Sequence, residues 1–117
     1  MTDRPPFEID TDTSDPAFTV VSVGGEVDIS TSDDFAARLT AAKAPGVPVV
    51  VDLSKVAFMD SSGLRCIHEA ALDAAIVLVV PSTSVIARTA RITGLDDIVP
   101  ICDDLERARQ QLRPPSH

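Results

Sequence analysis

The sequence predicts an α/β domain in which a mixed sheet of four to five strands carries about four helices. Two observations support this class. Apolar, β-branched runs alternate with amphipathic segments of helical length, and 44% of the 117 residues are hydrophobic, enough for one compact core. At this length one domain is expected, spanning residues 1–117 with a core at about 7–112 and short flexible termini.

The chain is expected to begin with a β-hairpin. Phe7–Asp10 is a short strand candidate, and Phe18–Val23 is a stronger one because it is rich in β-branched residues. The Thr, Asp, Ser and Pro residues of 11–16 predict the turn between them. Gly24-Gly25 is expected to end the second strand.

A first helix is predicted over Ser30–Lys43, followed by a buried strand over Val47–Leu53. One of the three hydroxyl residues at 30–32 is the expected N-cap, and Asp33-Asp34 favour the positive end of the helix dipole. The continuous apolar run of the strand is typical of a strand that is covered on both faces.

The remaining elements continue this alternation. They are a second helix from Ser61 to about Ala74, a strand over Ile76–Val80, a third helix from Pro81 to about Thr93 with Gly94 as its stop, a strand over Ile98–Cys102, and a fourth helix from Asp103 to about Leu112 that Pro114-Pro115 ends. The order implies helices packed on a central mixed sheet.

Composition and charge exclude several classes of partner. The net charge is −8, and the aromatic residues are four Phe with no Trp or Tyr, which argues against nucleic acid and anionic membranes. A protein partner is instead expected to offer a basic patch. No apolar run approaches a membrane span, and the first residues lack a signal-peptide pattern, so a cytoplasmic location is expected.

The sequence does not predict an enzyme. A serine nucleophile needs a base within hydrogen-bond reach, and there are two histidines. His117 is the last residue, and His68 lies seven positions after Ser61, about two helical turns away. The chain also lacks a Gly-x-Ser-x-Gly motif.

No cofactor or metal is expected either. The acids that could converge at strand ends have no ligand-spacing motif and are interpreted as helix caps and solvated turns; they are Asp28, Asp33, Asp34, Asp52 and Asp60. Cys66 and Cys102 are interpreted as small buried apolar residues. The alternative is a reversible disulfide between them, which would require the second helix and the last strand to bring them together.

Phe58–Leu64, with the sequence Phe-Met-Asp-Ser-Ser-Gly-Leu, is the most informative stretch. A polar turn follows a strand and opens a helix, so either Asp60 or Ser61 could cap the first free amides. A phosphorylation site is the functional alternative. A phosphoserine there would add about −1.5 to −2 charge where the helix dipole is positive, so the fold should tolerate it and binding should change instead.

Three motifs in order resemble the STAS domain, in particular the bacterial anti-sigma factor antagonists. Phe58–Leu64 resembles the signature turn of that family, Gly25–Asp28 resembles its Gly-Glu-Leu-Asp segment, and Thr93–Leu95 resembles its Ser-Gly-Leu turn. The resemblance covers about residues 7–112. The predicted order of strands and helices fits the STAS fold.

The resemblance implies a phosphorylation-controlled regulator of transcription. In this family the unphosphorylated antagonist binds an anti-sigma factor that is also a serine kinase, and a sigma factor is thereby freed for RNA polymerase. The kinase phosphorylates the first serine of the turn, here Ser61, and a phosphatase resets the protein. The partner-binding positions that the resemblance implies are Asp28, Asp60, Ser61, Ser62, Gly63, Leu64 and Arg65.

Two features depart from the family pattern. The link Asp73–Ile76 is short and lacks the usual Gly-containing turn, which leaves the end of the second helix open. Arg65 stands where a small residue is common, which implies a different partner footprint. The alternative function is a STAS interaction subunit of another assembly, such as a sensor or lipid-transport complex, that is not switched at Ser61.

Overall fold

The structure is a computed structural model, and it describes residues 6–112. The elements are β1 (Glu8–Asp12), β2 (Thr19–Val27), α1 (Ser32–Ala42), β3 (Val49–Met59), α2 (Ser61–Ala70), β4 (Ile76–Val79), α3 (Val85–Ile92), a 3₁₀ helix (Leu95–Asp97), β5 (Ile101–Cys102) and α4 (Leu105–Leu112). The predicted flexible termini and the Pro114-Pro115 stop lie outside the described residues.

The five strands form one mixed sheet in the order β1-β2-β3-β4-β5. β1 is antiparallel to β2, and the other neighbouring pairs are parallel. A hairpin followed by three β-α-β crossovers gives this arrangement, as the alternation in the sequence predicts. The predicted mixed sheet with four helices is confirmed.

Each face of the sheet has its own hydrophobic core. Consecutive β3 residues alternate between the cores, since Val49 and Val51 belong to one and Val50 belongs to the other. The larger core also takes buried residues from α1, α2 and α3, including Phe35 and Ile67. The smaller core is covered by α4. Three helices therefore pack on one face and one helix on the other.

β2 and β3 are longer than the sequence predicts. Gly24-Gly25 does not end β2, because the ladder with β3 continues to Val27 through two register shifts around these glycines. Gly25 has a φ of +85°, and a Cβ there would stand 2.2 Å from the carbonyl oxygen of Pro6. The glycines therefore form an irregular, bulge-like segment inside the strand and do not stop it.

The helix boundaries differ from the prediction mainly at the start of α3 and the end of α2. α3 begins at Val85 because the Ser84 side chain caps it, accepting from the Ala87 amide at 3.1 Å. α2 ends at Ala70, four residues earlier than expected. The loop after it holds Asp73, whose carboxylate pairs with Lys43 at the end of α1.

Two further boundaries are corrected, and one is confirmed. Residues 98–100 do not belong to the last strand, because Ile98 ends the 3₁₀ helix and pairing with β4 starts at Ile101. α1 begins at Ser32, two residues later than predicted, and Thr31, one of the three N-cap candidates, holds the N-cap position without a side-chain capping bond. Gly94 lies just past α3 in the left-handed region, at a φ of +79°, as expected for a helix stop. Between residues 6 and 112, no helix has the length and apolar character to cross a membrane.

Candidate functional site

Two polar turns meet at the carboxyl ends of β2 and β3. Asp28 directly follows Val27, and Asp60 directly follows Met59. Val27 and Met59 are partners in the parallel ladder, and the Asp60 amide donates to the Val27 carbonyl at 3.1 Å. The parallel register therefore brings together the Asp28 and Asp60 segments, which are 32 positions apart in the sequence.

Asp60, and not Ser61, caps α2. Its carboxylate accepts from the Ser62 amide at 2.9 Å, and its carbonyl accepts from the Gly63 and Leu64 amides. Such a cap stabilises a helix by about 1 kcal/mol. Ser61 is the first helical residue; its side chain is exposed, and its hydroxyl makes no hydrogen bond with any residue of 6–112. The hydroxyl is therefore available for modification.

Gly63 lets the first turn of α2 approach the two strand ends closely. A Cβ on Gly63 would stand 2.6 Å from Met59 Cγ and 2.9 Å from Val27 Cγ1. Both distances are shorter than carbon atoms tolerate, so a glycine is required here by space. Gly63 is buried, and its lack of a side chain fixes where the Ser61 hydroxyl emerges.

The Asp28 side chain is used to shape its own turn. Its carboxylate accepts from the Ser30 hydroxyl at 2.6 Å and from the Ser30 amide at 2.9 Å, and these bonds hold the pKa of Asp28 below its ordinary value. The Thr31 hydroxyl accepts from the Asp28 amide at 3.0 Å and donates to the Glu26 carbonyl. The turn therefore presents a fixed negative charge beside the Ser61 segment.

A groove runs from Ser61 between the start of α2 and the segment that joins α3 to β5. α2 contributes Ser61, Leu64, Arg65 and His68, and the joining segment contributes Thr93, Gly94, Leu95 and Ile98. The groove lining thus mixes apolar side chains with two hydroxyls, an imidazole and a guanidinium, and it includes no carboxylate. Charged groups near Ser61 are segregated: the Asp28 and Asp60 carboxylates lie on the strand-end turns, and the Arg65 guanidinium lies in the groove.

Sequence reasoning missed part of this surface. The sequence identifies Thr93–Leu95 only as a motif, because the position of this segment against α2 depends on the path of the chain after α3. Ile29 and Ile98 are large apolar side chains with 81% and 52% of their surface exposed. Ile29 follows Asp28 in an otherwise polar stretch, and that isolated aliphatic residue was the available signal for a contact position.

His68 lines the same groove as Ser61, although the two residues are two helical turns apart on α2. Its side chain is exposed and makes no hydrogen bond with Ser61. Among residues 6–112, no group of three or more His, Cys, Asp and Glu side chains is arranged to hold a metal ion.

Cys66 and Cys102, the possible redox pair, are not bridged in this structure, in which both thiols are free. Cys66 belongs to the larger core and its thiol donates to the Ser32 carbonyl, whereas Cys102 belongs to the smaller core and donates to Gln111. The sheet separates the two cores. Burial raises the pKa of both thiols, consistent with small buried residues.

Comparisons with solved structures agree with this architecture. An anti-sigma factor antagonist from Mycobacterium paratuberculosis is similar over 93% of this chain and 96% of its own, with a TM-score of 0.84 and 25% identity. The antagonist SpoIIAA in its unphosphorylated form matches over 94% of this chain and 100% of its own, with a TM-score of 0.71 and 20% identity.

A putative anti-sigma factor antagonist from Thermotoga maritima is also similar, over 93% of this chain and 94% of its own, with a TM-score of 0.69 and 24% identity. No curated protein sequence matches the chain. The family model of the STAS domain matches residues 8–108, which include both strand-end turns and the groove. The chain therefore belongs to the STAS domain family.

Proposed function

We propose that this protein is an anti-sigma factor antagonist that is switched by phosphorylation of Ser61. In the unphosphorylated form it binds an anti-sigma factor with serine kinase activity in the cytoplasm, and a sigma factor is released. The kinase then transfers a phosphoryl group from ATP to the Ser61 hydroxyl, the complex dissociates, and a phosphatase restores the starting state. The protein itself catalyses no step.

One observation carries this proposal: the Ser61 hydroxyl stands exposed at the start of α2 while Asp60 performs the capping. A serine that capped the helix would lose that bond on modification. Here phosphorylation leaves the cap in place and adds charge where the helix dipole favours it. The names of the similar structures, which are anti-sigma factor antagonists, support the same partner class.

The surface around Ser61 also supports a docking role. Ile29 and Ile98 offer exposed apolar area, and the strand-end turn offers the Asp28 carboxylate. A phosphate on Ser61 would place new negative charge beside Asp28 and Asp60. A partner group that faces this surface with a carboxylate would be repelled, and the exposed apolar contacts would be lost with it.

The experiment is a pull-down from native lysate with Ser61→Ala and Ser61→Glu baits, read by mass spectrometry. Ser61→Ala should capture a serine kinase of the anti-sigma class, and Ser61→Glu should lose it. Thr83→Glu is the matched control: Thr83 is exposed and lies outside the groove, so the same added charge should leave capture unchanged. Both Ser61 variants should keep their stability within about 1 kcal/mol of the parent.

Each remaining outcome decides between alternatives. Equal capture by Ser61→Ala and Ser61→Glu would refute the switch and favour a STAS subunit that binds constitutively. Capture of sensor or transport components without a kinase would favour the other assemblies. Loss of binding in Ser61→Ala would mean that the hydroxyl itself is a required contact, which also contradicts the proposal.

A further inference from the structure

Arg65 lies one helical turn after Ser61 on the same face of α2. Residues four apart on a helix are neighbours, and long helical side chains lean back toward the N-terminus. An arginine at position 65 can therefore reach the turn that carries Ser61. Both residues are exposed, and both line the groove.

The Arg65 guanidinium is unpaired within the part of the chain that the structure describes. It makes no hydrogen bond or ion pair with any residue of the described range 6–112. By contrast, Arg38 donates to the Ile9 carbonyl, and Arg91 donates to the Ser82 carbonyl. Arg65 is thus a free cation beside the hydroxyl that we propose is modified.

The helix end offers few other donors to a phosphate on Ser61. Three amides of the first turn are already used, and the Ser61 amide is not: Ser62 donates to the Asp60 carboxylate, and Gly63 and Leu64 donate to the Asp60 carbonyl. The phosphate would enter a site where most first-turn amides are occupied and where the Asp60 carboxylate already caps the helix. Arg65 offers a cationic donor one turn along the same helix.

We propose that Arg65 is the internal counter-ion of phosphorylated Ser61. The guanidinium is planar and can donate two parallel hydrogen bonds to phosphate oxygens. The four-residue spacing between Ser61 and Arg65 along the helix allows this pair to form. This inference rests on the proposed phosphorylation of Ser61. Phosphorylation would then also withdraw the Arg65 cation from the groove. The docking face would lose a positive group as it gains a negative one.

The test installs phosphoserine at position 61 during translation, so that no kinase is needed, and follows the phosphate by ³¹P NMR against pH. A nearby guanidinium favours the dianion, so its removal should move the titration midpoint upward. In Arg65→Gln the midpoint should rise by about 0.3 pH unit, the equivalent of an ion pair of about 0.2–0.5 kcal/mol on a helix surface. Arg65→Lys keeps the charge and should stay near the parent.

Arg107→Gln is the matched control. Arg107 is exposed on α4, which covers the other face of the sheet, so removing its charge should leave the midpoint unchanged. The difference between the parent and Arg65→Gln should also collapse in 1 M salt, where screening extends over about 3 Å. In the parent, the side-chain N–H signal of Arg65 should shift with the same midpoint as the phosphate.

Equal midpoints in the parent and Arg65→Gln would overturn the pairing. A rise of the same size in Arg107→Gln would also overturn it, because the effect would then come from net charge. These results are independent of the pull-down: the phosphate can pair with Arg65 even if no kinase modifies Ser61 in the cell, and the Ser61 switch can operate without Arg65. Unmodified Arg65→Gln should have the same Tm as the parent, which would exclude misfolding as the cause of a changed phosphate midpoint.

Discussion

Gly63→Val tests whether close packing of α2 on the strand ends builds the site. The first atom of the new side chain would stand 2.6 Å from Met59 Cγ, 2.9 Å from Val27 Cγ1 and 3.0 Å from Met59 Sδ. Met59 is partly buried and can move, but Val27 is fully buried in the larger core. α2 must therefore shift outward, or the strand ends must deform.

The expected magnitude follows from two opposing effects. Overpacking a well-filled site costs about 1–3 kcal/mol, whereas replacing glycine by valine within a helix recovers only about 0.4 kcal/mol of helix propensity. The free energy of unfolding should fall by about 2 kcal/mol. For a domain of this size that corresponds to a decrease in Tm of about 8 °C.

The assay is thermal and urea unfolding of Gly63→Val beside Gly24→Val. Gly24 is the matched control because a Cβ there meets only Lys55, at an ordinary distance of 3.6 Å, and valine suits a strand. Gly24→Val should melt within a few degrees of the parent. Adding Met59→Ala to Gly63→Val should recover part of the loss, because two of the three close atoms belong to Met59. A Gly63→Val protein that melts with the parent would refute the packing argument.

Two further predictions concern titratable groups. The pKa of Asp28 is held low by its bonds from Ser30, so its stabilising effect should be present at neutral pH and should disappear as pH falls through the pKa of the folded state. Asp28→Asn should accordingly lower the urea midpoint at pH 7 and match the parent in acid; a difference that persists in acid would contradict this. Because burial raises the pKa of Cys66 and Cys102, both thiols should react slowly with a disulfide reagent until urea unfolds the chain, and rapid reaction of the native protein would show that they are accessible.

The general architecture could be predicted because hydrophobic periodicity and turn residues report directly on local structure. Apolar runs such as Ile76–Val79 and amphipathic segments such as Ser32–Ala42 give the order of strands and helices. Parallel pairing of β2 with β3 then follows from the β-α-β connection. The pairing of Val27 with Met59, which brings Asp28 close to the turn at Asp60, lies beyond the predicted strand ends at Val23 and Leu53. The closeness of the two turns therefore follows from the family resemblance and not from local patterns.

Features that depend on long-range contacts could not be predicted. Gly24-Gly25 has the composition of a strand stop, yet pairing with β3 carries the strand through it. The choice of Asp60 over Ser61 as the cap depends on backbone angles at one residue. The groove requires the segment after α3 to fold against α2, and no local pattern in Thr93–Leu95 reveals that contact.

The long ladder between β2 and β3 extends beyond its neighbours in the sheet. β1 pairs with β2 only as far as Gly24, and β4 pairs with β3 only over Val49–Asp52. Among the described strands, the last pairs, up to Val27 with Met59, are therefore formed by β2 and β3 alone, as a two-stranded ribbon.

Amides in the centre of the sheet should exchange hydrogen with solvent only through global unfolding, whereas amides in this ribbon should exchange through smaller openings. α2 packs on the end of the ribbon at Gly63, so we expect these openings to require undocking of that one helix. The candidate phosphorylation site thus lies where local openings of the chain can occur while the rest of the domain stays folded.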